Sequence, residues 1–282
     1  MATNQTEIRV YGIRRSGNHA IISWIFQHFN HTVVHLNDVR KHHVDPYQAF
    51  SQVSVKGMSF WNCKPKLTSY IKHKIQKRSL MEFTIVDPAV NVEYIRNYDP
   101  KECLIVSYED YPLDKRNLHI YDQEHDQYVG KSDRILNVVI LRDAHNLCAS
   151  LIKAGFMTNR NHAKFTDLFK EYSRILLGQT PDSSLPLICI NYNQWCIDRR
   201  YRIEVAEQIG FHTTGDPFLN VSHKGGGSSF DKLAASKQPE KLKNTLHRWK
   251  ALEDNPLYQS IFQDEELTYL SNQVFGNIEH SI

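Results

Sequence analysis

Two glycines near the start of the chain have the spacing of a phosphate-binding loop. In the stretch YGIRRSGNHAIISWI, residues 11–25, Gly12 and Gly17 stand as in the motif GxxxxGK[ST]. Asn18 and His19 occupy the positions of the lysine that reaches the β- and γ-phosphates and of the hydroxyl that ligates Mg²⁺. The loop therefore predicts a bound phosphate or sulfate group, but lacks the residues that handle Mg²⁺ and a γ-phosphate.

Predicted strands and helices alternate around this loop. Short apolar segments rich in β-forming residues predict strands at 7–11, 32–36, 103–108, 137–141 and 185–191. A helical spacing of apolar residues follows the loop at 20–29 and recurs at about 146–154, 166–177, 194–209, 240–252 and 264–275. This alternation predicts an α/β fold: a single domain over residues 1–282 with a doubly wound parallel sheet of about five strands.

Two segments depart from this alternation. Residues 38–101 predict only one basic helix, near 66–77, and we interpret the stretch as an insertion on the side of the acceptor substrate. The segment HKGGGSSFD, residues 223–231, predicts a flexible Gly/Ser loop late in the chain.

Composition limits the partners of the chain. A formal net charge of +3 over 282 residues is too small an excess for a dedicated nucleic-acid binder, and it suits a small anionic ligand. The five cysteines are scattered without a CxxC pair, so neither a disulfide framework nor a zinc site is predicted. There is no basic-then-apolar signal segment, and no apolar run approaches the ~18 residues of a membrane span. We expect a cytoplasmic protein without a nucleic-acid or membrane partner.

The glycine loop resembles that of the sulfotransferases that use 3'-phosphoadenosine 5'-phosphosulfate (PAPS). Their loop reads roughly (K/R)-S-G-(T/N)-(T/H), and residues 15–19 align with it without a gap. The resemblance implies PAPS as donor and adenosine 3',5'-bisphosphate (PAP) as product, with Arg15 stabilising the leaving 5'-phosphate. Ala20 stands where the family often has an aromatic residue that stacks on adenine, so stacking must come from elsewhere. The loop residues implied at the nucleotide are Arg14, Arg15, Ser16, Gly17, Asn18, His19 and Ala20.

A second family element is a strand that ends in arginine, followed by a serine in a helix. The segment VVILRDAHNLCASLIKAG has Arg142 and Ser150 at the family's spacing, and the resemblance implies that both hold the 3'-phosphate. The alternative is an ordinary strand end, with Arg142 paired to Asp143 and Ser150 facing the sheet.

Two later segments also resemble the family. Tyr192, in the segment ICINYNQW, follows a predicted strand, and the resemblance implies a contact with adenine; a core tyrosine is the alternative. The Gly/Ser loop stands where the family closes a basic glycine loop over the 3'-phosphate. Its implied ligands are Lys224, Gly226, Gly227, Ser228 and Ser229.

A general base is expected at the carboxyl end of a strand that faces the loop. The resemblance favours Glu109, in the segment LIVSYEDYP, with Asp110 second, although such a pair also commonly caps a turn. His35 is the third candidate, and for it a buried, hydrogen-bonded imidazole is the favoured interpretation. His31 and His35 would lie about 13 Å apart on a strand, too far to share one ion, so no metal site is predicted.

Together these patterns predict sulfuryl transfer from PAPS to a hydroxyl or amine of a small-molecule acceptor, in line and without a metal. Asp38, Glu109 and Asp110 at predicted strand ends suggest an acidic mouth for a cationic acceptor. Such a mouth would suit a guanidinium-type secondary metabolite, as modified by cyanobacterial members of the family. Three alternatives stay open: a small-molecule or nucleotide kinase, a carbohydrate sulfotransferase that uses the basic run 64–78, and a nucleotide-binding module without catalysis.

Overall fold

The computed structural model describes residues 4–39, 51–58, 75–79, 82–86, 100–113, 125–126, 129–179, 186–211 and 244–277. The strands in these ranges are β1 (Asn4–Gly12), β2 (Val33–Asn37), β3 (Gln52–Lys56), β4 (Ile75–Ser79), β5 (Glu82–Val86), β6 (Lys101–Glu109), β7 (Ser132–Leu141) and β8 (Leu187–Asn191). They form one sheet in the order β4-β5-β3-β2-β6-β1-β7-β8.

The helices follow the strands along the chain. They are α1 (Asn18–His28), α2 (Ala144–Lys153), α3 (His162–Leu176), α4 (Tyr192–Ile197), α5 (Arg199–Ile209), α6 (Pro256–Ile261) and α7 (Glu265–Phe275), with a 3₁₀ helix at Asn244–Leu252. No helix in the described ranges is long and apolar enough to cross a membrane.

The α/β class predicted from the sequence is confirmed. All five predicted strands are present, as β1, β2, β6, β7 and β8. β2 and β6 pair in parallel, with Val33 opposite Cys103 and Leu36 opposite Val106. These residues are buried, as expected of apolar strands in the interior of a sheet.

The sheet is larger than the sequence predicted, because three strands form within residues 38–101. β3 pairs antiparallel with β2 and with β5, and β4 pairs antiparallel with β5. The basic helix predicted at 66–77 is therefore wrong at its end, where Ile75 to Lys77 belong to β4; its earlier residues lie outside the described ranges. Pairing with β5 overrides the helical spacing there, since strand formation depends on the neighbouring strand more than on local propensity.

The helix predicted at 194–209 is two helices, separated at Asp198. Its carboxylate accepts hydrogen bonds from the backbone N–H groups of Arg200 and Tyr201, and it thereby caps the start of α5. The helix predicted at 240–252 is 3₁₀ in its described part, Asn244–Leu252.

The chain groups into two compact units. The first comprises residues 1–11, 25–109 and 114–137, and the second comprises residues 12–24, 110–113 and 138–282. The single domain expected from the sequence stays a prediction.

A buried charged cluster lies in the first unit, around Glu7 of β1. Its carboxylate lies 2.8 Å from Arg9 Nε and 2.7 Å from His125 Nε2, and Ser132 Oγ donates to it at 2.6 Å. These contacts lower the pKa of Glu7 to about 2 against the opposing effect of burial, and its hydrogen bond and charge raise the pKa of His125, which burial alone would lower. Because burying a charge without partners costs several kcal/mol, the pairing makes this charged interior possible.

The second unit has an aromatic core. Trp195, Tyr172 and Phe169 are almost fully buried, and the Trp24 ring meets the Trp195 ring edge-on at 5.9 Å between centroids. This core supports the start of α1 and the short helix α4, which carry the residues of the site described next.

Candidate anion-binding site

The glycine loop joins β1 to α1 in a tight turn. The backbone N–H of Ser16 donates to the carbonyl of Ile13 at 3.0 Å, and Ala20 N–H donates to the carbonyl of Gly17 at 2.9 Å. Arg15 has a φ of 72° and Gly17 a φ of 94°, both left-handed. A left-handed arginine is strained by about 1–2 kcal/mol, and such strain is typical of ligand sites. The turn ends where α1 begins, so the positive end of that helix lies at the loop.

Tyr192 explains why residue 17 must be glycine. A Cβ at Gly17 would lie 2.1 Å from Tyr192 Cε2, far inside van der Waals contact. Tyr192 is buried at the start of α4, directly after β8, and its ring lies 5.6 Å from the guanidinium carbon of Arg142. The structure thus brings the loop, Tyr192 and Arg142 together within the second unit.

Asn18, at the position of the P-loop lysine, folds back over the loop. Its amide donates to the carbonyl of Ile13 at 3.3 Å, and its side chain fills the space that a Cβ at Gly12 would need. Ser16 is fully buried, and its hydroxyl has no hydrogen-bond partner among the described residues. Asn18 therefore holds the shape of the loop.

Asp110 fixes the loop from the other side. Its carboxylate accepts from the Arg14 backbone N–H at 2.9 Å and from Arg14 Nε, while its own N–H donates to the carbonyl of Gly12 at 3.1 Å. The Asp110 side chain is 4% exposed and the Arg14 side chain 30%, so this ion pair is partly buried. With both oxygens occupied by Arg14, Asp110 has a structural role, and its role as second-choice base stays a prediction.

Arg15 reaches the second predicted motif. Its Nε donates to Ser150 Oγ at 3.0 Å, although the two residues are 135 positions apart. Burial, and then the charge of Arg15, lower the pKa of His19, so this histidine is neutral at pH 7 and adds no charge to the loop. Ser150, which faces the sheet in the alternative interpretation, is thus hydrogen-bonded to Arg15 of the loop.

The carboxylate of Asp143 bonds to asparagines. Its Oδ1 accepts from the backbone N–H of Asn146 at 2.8 Å, capping α2, and its Oδ2 accepts from Asn193 Nδ2 at 2.9 Å. The sequence analysis did not identify this cluster, although an aspartate directly before a helix is a readable capping signal.

Two of the three predicted bases, Glu109 and His35, lie in the first unit. His35 is buried, and its Nε2 lies 3.2 Å from Ser107 Oγ, which confirms the favoured interpretation of a hydrogen-bonded imidazole. Glu109 is the last residue of β6 and is partly exposed. Its role as base stays a prediction. The Gly/Ser-loop ligands Lys224, Gly226, Gly227, Ser228 and Ser229 lie outside the described residues.

No protein-family model matches the chain, and no curated protein matches it. Among solved structures, the chain is similar to the mouse sulfotransferase SULT7A1 complexed with PAP. The TM-score is 0.48 at 11% identity, over 95% of this chain and 85% of that chain.

Proposed function

We propose that this chain transfers a sulfuryl group from PAPS to a hydroxyl or amine of a small-molecule acceptor. The observation that carries the proposal is the hydrogen bond from Arg15 to Ser150. It joins the glycine loop to the helix that follows Arg142, and so links two motifs that the sequence presents far apart.

The positive charges of the site suit a nucleotide with phosphate groups at both the 3' and the 5' positions of its ribose. We assign the 5'-phosphosulfate to the loop, with the start of α1 and Arg15 as its ligands. We assign the 3'-phosphate to Arg142 and Ser150, and the adenine to the neighbourhood of Tyr192, whose ring lies beside Arg142. The buried Ser16 hydroxyl adds a donor at the loop.

In the proposed reaction the bond between sulfur and the 5'-phosphate oxygen breaks while the acceptor oxygen or nitrogen bonds to sulfur. PAP leaves with the bonding electrons, and the acceptor proton passes to a base. Arg15 and the backbone N–H groups of the loop stabilise the charge that develops on the leaving phosphate. We propose Glu109 as the base; it directly precedes Asp110, which holds the loop.

Thermal unfolding in millimolar EDTA tests the donor. We expect PAP to raise the melting temperature, since a ligand at a hundred times its Kd stabilises by about 2.7 kcal/mol. A shift produced only by ATP with Mg²⁺, measured in the same buffer without EDTA, would refute the proposal and favour a kinase.

Calorimetry on Arg142→Ala tests the assignment of the 3'-phosphate. Losing a charge-assisted hydrogen bond of about 1.5–3 kcal/mol should weaken PAP binding roughly ten- to a hundredfold. Adenosine 5'-monophosphate, which lacks the 3'-phosphate, should bind almost unchanged. Arg200→Ala is the control, because the Arg200 side chain is 88% exposed. Equal weakening of both nucleotides would give Arg142 another role.

A further inference from the structure

Arg14 and Arg15 are neighbours in the glycine loop, but their side chains have different partners. Arg15 Nε donates to Ser150 Oγ in α2, whereas Arg14 Nε donates to the carboxylate of Asp110, directly after β6. All four residues belong to the second unit. Under the proposed function Ser150 belongs to the nucleotide, so the side chain of Arg14 is directed to a different part of the unit.

Phe156 lies against the guanidinium of Arg14. The guanidinium carbon is 4.9 Å from the centre of the Phe156 ring, and this ring is 40% exposed. The backbone of Phe156 is fixed, because its N–H donates to the carbonyl of Leu151 at 2.9 Å and its carbonyl accepts from Asn161 Nδ2 at 2.9 Å. An exposed aromatic ring on a fixed backbone is thus placed beside a cationic group.

This pair lies at the end of α2 that is remote from Arg142. Arg142 precedes the helix, whose ten residues extend for about 15 Å, and Phe156 follows it. Transfer in line places the acceptor and PAP on opposite sides of the sulfur. Since the 3'-phosphate is assigned to Arg142, the surface formed by Arg14 and Phe156 is on the side that remains for the acceptor.

The guanidinium of Arg14 is held in place but keeps free donors. Asp110 engages its Nε and its backbone N–H, and Arg14 has no further hydrogen bond to the residues that the structure describes. A guanidinium has five N–H donors, so the four on the two Nη atoms are left. The Arg14 side chain is 30% exposed, which lets a ligand reach them. Two parallel N–H groups match the two oxygens of a carboxylate.

We propose that Arg14 and Phe156 bind the acceptor, and that this acceptor is an aromatic compound with a carboxylate. The inference rests on the proposed function and names the chemical class of its acceptor. The carboxylate takes the Nη donors of Arg14, and the aromatic ring packs on the exposed part of Phe156. Arg14 also balances the charge of Asp110, so the acidic mouth expected for a cationic acceptor loses one of its three carboxylates.

Three phenols that differ in one group test this assignment. They are 4-hydroxyphenylacetate, 4-hydroxyphenylacetamide and tyramine, which carry a carboxylate, a neutral amide and an ammonium group on the same ring. Each is titrated calorimetrically into the chain saturated with PAP, where no sulfuryl group is present to be transferred. We expect the acetate to bind roughly ten- to a hundredfold more tightly than the acetamide, because its hydrogen bonds to Arg14 are charge-assisted, and tyramine to bind most weakly.

Variants of the two residues separate their contributions. Arg14→Gln should abolish the preference for the acetate over the acetamide while PAP affinity stays close to that of the unaltered chain. Phe156→Ala should weaken the acetate and the acetamide by the same factor, since both lose the same apolar contact. Arg200→Gln is the control, because the Arg200 side chain is 88% exposed.

Removing Arg14 alone leaves the Asp110 carboxylate without its ion-pair partner. The double variant Arg14→Gln/Asp110→Asn removes both charges together, and we expect it to lose the preference for the acetate as well. It replaces Arg14→Gln if circular dichroism shows that the single variant does not fold. The comparison of the three phenols on the unaltered chain needs neither variant.

Several results would overturn the assignment. The acetate could bind no more tightly than the acetamide or not at all, or keep its preference in the Arg14 variants. A loss of PAP affinity in those variants as large as the loss of acetate affinity would place Arg14 at the nucleotide, and unchanged binding in Phe156→Ala would remove Phe156 from the site. Failure of the proposed function is a separate result, an unaltered chain that does not bind PAP, and it would remove the basis of this inference.

Discussion

Replacing Gly17 with alanine probes the close contact between the loop and Tyr192. The added Cβ would lie 2.1, 2.3 and 2.7 Å from three atoms of the Tyr192 ring. Carbon atoms at favourable separation lie about 3.5–4.0 Å apart, so the ring or the loop must move by more than an ångström. The ring is buried and stacks near Trp195 at 6.0 Å between centroids, which limits how far it can yield.

Two penalties add up in this variant. Placing an alanine at a φ of 94° costs about 1–2 kcal/mol. Overpacking a well-packed region costs about 1–3 kcal/mol. We therefore expect Gly17→Ala to lower the free energy of unfolding by about 2–5 kcal/mol and to weaken PAP binding, because the loop must shift.

Gly155→Ala separates the two penalties. Gly155 has a φ of 73°, but nothing lies within 4 Å of a Cβ built there. This variant introduces the backbone strain alone. Its free energy of unfolding, measured with urea, should therefore exceed that of Gly17→Ala by about 1–3 kcal/mol. Equal destabilisation of the two variants would refute the argument that Tyr192 occupies the space beside Gly17. Unchanged PAP binding in Gly17→Ala would refute the loop as the phosphate site.

Two further predictions concern proton transfer and pH. Glu109→Gln keeps the shape of the side chain but removes the proton acceptor, so a steady-state assay should find turnover lowered about a hundred- to ten-thousandfold with PAP binding unchanged. The pKa of His125 is raised on folding. Its contribution to the free energy of unfolding is therefore fully present below pH 6.5 and is lost as pH rises through the raised pKa. The pKa of Glu7 is lowered from 4.5 to about 2, so its contribution is present above pH 4.5 and is lost as pH falls toward 2. Urea unfolding across pH should follow both trends, and His125→Gln should flatten the alkaline one.

Each of these predictions has a contrary outcome. Normal turnover in Glu109→Gln would exclude this residue as the base, and lost PAP binding would indicate a structural role at the end of β6. If His125→Gln retained the full alkaline loss of stability, the contact between His125 and Glu7 would not be its source.

The parallel strands and the loop could be predicted because their signals are local. Apolar runs predict buried strands, and the spacing of Gly12 and Gly17 predicts a turn between a strand and a helix. β3 was missed although QVSVK alternates, with Val53 and Val55 fully buried, because the segment is short and lies in a polar stretch. β4 and β5 depend on pairing with their neighbours more than on residue pattern.

The site contacts could not be predicted in the same way. Arg14 meets Asp110 from 96 positions away, and Asn146 meets Arg248 from 102 positions away. No spacing rule relates residues at such separations, since only the tertiary fold brings them together. The resemblance to sulfotransferases identified several residues of the site, but it did not identify the Asp143 cluster or the contact between Asn146 and Arg248.

The Asp143 cluster has a consequence for the order in which the site matures during synthesis. Asp143 bonds to a residue 50 positions later, and its partner Asn146 bonds to one 102 positions later. Domains fold as units behind a ribosome that adds about 5–20 residues each second. A nascent chain that has emerged only as far as residue 211 carries the glycine loop, Arg142 and Tyr192, but not Arg248. The hydrogen bonds from Asn146 to the backbone of Leu246 and Arg248 can therefore form only after residue 248 has left the ribosome.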